Sequence, residues 1–182
     1  MTDKAKKAAI KEGSLRLLTS GEIALAKSVY GEKINYSKVW IHHDSYLPFG
    51  LQHERVAMTP QGEIYYRTQL YKDDYSKVSS YDQHTFIHEL CHVWQLEKGM
   101  CVICRGLVSW IASYRYTLDG RLLSEYPMEQ QAQIVADSFI LYSQGYSKFI
   151  QHRDNDSVTL DGELDEYIVL EGYRAALRGF PW

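Results

Sequence analysis

The sequence predicts one α+β domain, a small sheet with several helices. Hydrophobic periodicity is close to two residues in the middle of the chain and helical from Asp82 onward. The elements come in the order helix, strands, helix, helix, helix, which suits a small antiparallel or mixed sheet. The 182 residues contain only four prolines and no Ser/Gly-rich linker, so no internal boundary interrupts the domain.

Residues 1–14, rich in Lys and Ala, read as a tail or loose helix, and 15–182 as the domain. The first helix follows Thr19-Ser20-Gly21-Glu22. Ser20 is a suitable N-cap, Ile23, Ala26, Val29 and Tyr30 recur on one face, and Gly31 ends it. Lys38–His42 is β-branched and aromatic, hence a strand. Met58–Gly62 reads as a turn before a second strand at Glu63–Arg67, which puts Ile64 and Tyr66 on one face and Glu63, Tyr65 and Arg67 on the other. A helix capped by Ser80 or Asp82 runs through Phe86, Leu90, Val93 and Trp94 to Lys98-Gly99. Another starts near Pro127, carries Ile134, Val135, Phe139 and Ile140 inward, and ends before Gly145. The last spans about 164–178.

Composition narrows the function. A net charge of -3 and a pI near 6.2, with no basic block, argue against a nucleic-acid partner. No apolar run is long enough to span a bilayer. The first ten residues carry charge but no apolar core, so no secretory signal is expected and synthesis in the cytoplasm is. Three cysteines do not make a disulfide scaffold. Fifteen tyrosines and seven histidines stand out.

Two of those histidines carry the chemistry. His88-Glu89-Leu90-Cys91-His92 is an H-E-x-x-H motif inside the helix from Asp82. Residues four apart lie on one helix face, so His88 and His92 can aim both imidazoles at one zinc ion. Glu89 is turned about 100° away; it reaches a water at the metal rather than the metal itself, and can take the proton as that water attacks a carbonyl. A chance match on a solvated face is the competing explanation. Phe86, Ile87, Leu90, Val93 and Trp94 surround the motif, however, and polar groups on a mostly buried helix need partners.

A catalytic zinc site usually has three protein ligands. Glu129, in the first turn of the helix after Pro127, is the favoured third ligand, and two histidines with a downstream glutamate are the gluzincin arrangement. A glutamate there also suits the helix dipole without any metal. Asp137 could be an acceptor for a ligand imidazole N–H, and Glu125, before the proline, is a weaker alternative ligand.

The remaining histidines are mostly bystanders. His42 and His43 are adjacent on a strand and point to opposite faces, so they do not share a metal. His53 and His152 are lone; His84, one turn before His88, could line the cleft. Cys101 and Cys104 form a lone C-x-x-C, read as packed cysteines or a disulfide in an oxidising compartment. Tyr114, Tyr116 and Tyr126 are candidates to stabilise a developing oxyanion, and the strand at Glu63–Arg67 could receive a substrate peptide.

Residues 18–31, Leu47–Gln52, Ala57–Tyr65, Phe86–Gln95 and Glu129–Asp137 together resemble the zinc metallopeptidase effector domain associated with VgrG spike proteins of bacterial type VI secretion systems. The resemblance covers about residues 15–145. It implies a zincin-like fold, zinc (Zn2+) held by His88, His92 and Glu129, and Glu89 as catalytic base. It also implies a peptide or protein substrate, delivery to the periplasm of a neighbouring bacterium, and a VgrG spike and an immunity protein as partners. Peptidoglycan endopeptidase or amidase activity with the same zinc chemistry is one rival; a non-catalytic metal-binding module is another.

Overall fold

The computed structural model describes residues 12–101 and 113–182. Among these, three strands and five α-helices follow one another as β1 (Ser14–Leu17), α1 (Ser20–Tyr30), β2 (Trp40–His43), β3 (Ile64–Tyr66), α2 (Ser80–Glu97), α3 (Met128–Gln144), α4 (Tyr146–Asp154) and α5 (Glu166–Ala176). The architecture is α+β, with a mixed sheet in the order β1-β2-β3. β1 runs antiparallel to β2 with Arg16 opposite Ile41, and β3 runs parallel to β2 with Ile41 opposite Ile64. No described helix is long and apolar enough to cross a membrane.

β1 is not expected from the sequence: the predicted tail ends at residue 14, and residues 15–17 carry no predicted element. Its pattern is inverted: Leu15 and Leu17 face solvent while Arg16 turns inward. Arg16 forms a two-pronged ion pair with the fully buried Glu22, at 2.8 and 2.7 Å. Glu22 also accepts from the Thr19 and Tyr75 amides, both at 2.8 Å. One buried carboxylate therefore fastens β1, α1 and the turn at Tyr75, each of its hydrogen bonds compensating the desolvated charge. Thr19, not Ser20, caps α1, in a reciprocal capping box with Glu22. Ser79 caps α2, one residue ahead of the expected Ser80.

α2 and α3 form the largest packing contact of the fold. Phe86, Ile87, Leu90 and Trp94 from α2 meet Ala132, Ile134, Val135 and Ile140 from α3, all without solvent exposure. Burying a side chain of this size stabilises by roughly 1.5–3 kcal/mol, so this interface is the part of the fold most costly to distort. Ile64 and Tyr66 turn into the core as the alternation predicts. α4 is absent from the sequence reading because it is mostly polar and buries only Phe149 and His152. Gly145, at φ 84°, makes the corner between α3 and α4 that a side chain would disfavour.

Candidate metal centre

The α2–α3 interface brings together His88, His92 and Glu129. The Nε2 atoms of His88 and His92 lie 3.4 and 3.2 Å from Glu129 Oε2. Ligand atoms about 2.0–2.1 Å from a tetrahedral zinc lie ~3.3–3.4 Å from one another. The spacing thus fits an ion held by two imidazoles and one carboxylate, with a fourth position left for another ligand. The rings meet edge to face at 79°, so both lone pairs can converge. All three side chains are buried. Without an ion, burial alone would raise the Glu129 pKa, but hydrogen bonds from both histidines hold it far below the ordinary carboxylate range. For His92 burial pulls down, yet Glu129 pulls harder, and its pKa rises to about 9. The Glu129 carboxylate therefore stays ionised against both imidazoles, a charge that suits a cation between the three side chains.

An amide relay that the sequence reading misses orients His92. Gln131 Nε2 donates to the Tyr126 carbonyl at 2.8 Å, and Gln95 Nε2 donates to Gln131 Oε1 at 3.1 Å and to the Met128 carbonyl at 2.9 Å. Carbonyls only accept, so the direction of the relay is fixed. Gln95 Oε1 must accept from His92 Nδ1, at 2.8 Å. With Nδ1 committed as the donor to Gln95, the proton an ion would displace is the one on Nε2, the nitrogen that faces Glu129. Gln95 sits three residues after His92, a helical neighbour spacing that sequence could have flagged.

Glu89 is buried beside this cluster and is not a member of it. Its Oε2 accepts a hydrogen bond from Thr59 Oγ1 at 2.6 Å. Thr59 arrives from a segment braced against β3: Met58 and Tyr65 exchange both backbone hydrogen bonds, at 3.1 and 2.8 Å. Buried Gln52 ties the Val56 and Tyr65 carbonyls together at 2.7 and 3.0 Å. Nothing in the local sequence around Thr59 announces a contact thirty residues away.

The structure revises several expectations. Asp137 does not support a metal ligand. It accepts from His84 at 2.6 Å, Tyr116 at 2.7 Å, Gln133 at 2.8 Å and the Thr159 amide at 3.0 Å, forming a buried hub behind the site. His84 belongs to that hub rather than to the cleft. Tyr116 is buried against Asp137 and Tyr173, and Tyr126 donates to the Thr117 carbonyl at 2.8 Å, so neither hydroxyl is directed at the candidate ligands. Tyr114 does: its ring centre is 5.9 Å from that of His88, and it remains 43% exposed. Partial burial and the charges of Glu129 and Glu89 push its pKa up to about 12, so it is a proton donor at neutral pH.

Glu125 is exposed and caps a turn by accepting from the Leu122 amide at 2.7 Å. The edge at Glu63–Arg67 is closed: Met58 covers Tyr65, His42 engages Glu63 at 2.6 Å, and Arg67 holds the Gly50 and Gln52 carbonyls. His42 and His43 part to opposite faces, with His43 near Thr68 at 3.1 Å. His53 is exposed, and His152 is buried against Ser80 and Ser157. Cys101 is disulfide-bonded; Cys104 lies outside the described residues.

Comparison with known proteins places these features in context. No protein-family model matches the chain. The type VI secretion system spike protein VgrG2b of Pseudomonas aeruginosa is 38% identical over 133 residues, a match covering 69% of this chain and 13% of that protein. The solved effector domain of the same organism's VgrG2b is similar with a TM-score of 0.65 and 32% identity, covering 86% of this chain and 89% of that domain.

Proposed function

The chain belongs to the family of the VgrG2b effector domain, and from that premise we propose that it is a zinc-dependent peptidase with a zincin-like active site, acting as a type VI secretion effector. The observation that carries this reading is the buried convergence of His88, His92 and Glu129 at tetrahedral-ligand spacing, with Glu89 beside it.

Zinc, when bound, would supply Lewis-acid polarisation of a carbonyl and acidify a water. The chain's own residues do the rest. Thr59 occupies one oxygen of Glu89, which leaves the other to take a proton from the attacking water and return it to the departing amine. The paired Met58 turns the backbone groups of Ala57 and Thr59 away from β3. Neither residue has a backbone hydrogen bond among the described residues, and with Thr59 buried it is the part-exposed Ala57 that offers an extended peptide a pairing partner near Glu89. Tyr114 offers a phenolic donor beside His88 for charge developing on the carbonyl oxygen.

In this reading a VgrG spike carries the domain, the periplasm of a target bacterium is its site of action, and an immunity protein protects the producer. The test uses zinc-loaded protein against a peptide library and against purified sacculi, with wild type and Glu89→Gln in parallel. Release of new amino termini by wild type alone supports the proposal. Fragments only from sacculi redirect it to cell-wall peptides. Equal inactivity of both proteins with zinc bound favours a non-catalytic metal module.

A further inference from the structure

We propose that Thr59 is a positioning residue for Glu89, and that its hydroxyl contact holds the carboxylate where it can serve as base. This rests on the hydrolytic reading above. The 2.6 Å hydrogen bond is buried and joins side chains from two separate parts of the fold. A glutamate has three torsions to settle, and a carboxylate beside three metal ligands is drawn toward the cation itself. If it swung inward it would become a fourth ligand and could no longer move a proton. Thr59 opposes this by holding Oε2 on the side of the Met58 segment.

The anchor is itself immobilised. Met58 is bonded twice to Tyr65, and Gln52 clasps the Val56 and Tyr65 carbonyls. A β-branched residue on such a backbone has a restricted χ1, so its hydroxyl keeps one direction. The backbone beside it is the same edge that can receive a peptide. Base and substrate are thereby referenced to a single rigid segment, a means of holding reacting groups in register.

The test compares wild type, Thr59→Val, Thr59→Ser and Glu89→Gln, each zinc-loaded and checked for metal content. Thr59→Val preserves shape and removes the donor; Thr59→Ser preserves the donor. For peptide turnover, Thr59→Val is expected to keep its zinc and its KM within about twofold while kcat falls roughly 10- to 100-fold, the effect of losing one hydrogen bond to a charged group. Thr59→Ser should recover most of that loss.

A second readout does not require turnover: calorimetric binding of acetohydroxamate, which chelates zinc and gives a proton to a neighbouring carboxylate. Thr59→Val and Glu89→Gln should each weaken it about tenfold or more, and Thr59→Ser should not. Wild-type values for Thr59→Val in both readouts would overturn the proposal. So would loss of zinc in Thr59→Val, or a Thr59→Ser defect as deep as that of Thr59→Val, since these mark a packing role. If no protein hydrolyses peptide, the peptidase reading fails and the hydroxamate series alone decides the role of Thr59.

Discussion

Replacing Gln95 with Leu should separate the orientation of a metal ligand from its identity. Gln95 is fully buried, and its amide makes three hydrogen bonds: from His92 Nδ1 at 2.8 Å, to the Met128 carbonyl at 2.9 Å and to Gln131 at 3.1 Å. Leucine has a similar volume and leaves no large cavity, but the Nδ1 proton loses its acceptor. The imidazole is then free to rotate or change tautomer, and its Nε2 becomes less basic. Loss of such a partner typically costs 10- to 100-fold in metal affinity, or about 1.4–2.8 kcal/mol. Orphaning the Met128 carbonyl and the Nδ1 proton should also lower metal-free stability by roughly 1–3 kcal/mol. Zinc affinity is measured by competition with a chromophoric chelator, stability by urea unfolding. Gln95→Glu, which retains an acceptor for Nδ1, should bind zinc more tightly than Gln95→Leu. Wild-type affinity in Gln95→Leu, or equal loss in both variants, would refute the relay as the origin of His92 orientation.

Other parts of the fold give further tests. Burial, with the nearby charges of His84 and Lys148, lowers the His152 pKa to about 4. The unfolded histidine, near 6.5, therefore binds protons first. The His152 contribution to stability is complete above pH ~6.5 and declines as pH falls toward about 4, by on the order of 2–3 kcal/mol; urea midpoints across that window should flatten in His152→Gln. Glu22→Ala leaves Arg16 without its buried partner and should cost about 3–5 kcal/mol in chemical unfolding, which an unchanged midpoint would contradict. Asp137→Ala removes the acceptor shared by His84, Tyr116, Gln133 and Thr159, leaving Tyr116 only its contact with Tyr173, and a loss on the order of 4 kcal/mol is expected in calorimetry. Glu129→Gln should reduce bound zinc by at least tenfold in elemental analysis while the fold persists by circular dichroism.

What could be read from the sequence was whatever depends on local spacing. The two histidines one turn apart, their helix, the buried faces of α2 and α3 and the inward Ile64 and Tyr66 all follow from periodicity. Glu129 was legible because a second amphipathic helix presented a glutamate in its first turn. β1 was hidden since its inward residue is Arg16, whose burial makes sense only with Glu22 in view. α4 was hidden by its polarity. Thr59 and the Asp137 hub were out of reach for another reason. Their partners are set by how α2 lies against β3 and α3, and no local pattern encodes that packing.

The three candidate ligands are divided between two helices, two on α2 and one on α3. An ion seated there acts as a rivet through the most heavily packed seam of the molecule. Mass action then couples metal supply to folding: at free zinc 1,000-fold above its dissociation constant, the folded state gains about 4 kcal/mol. The melting temperature would then be a gauge of metal concentration, and a chelator would loosen the scaffold itself.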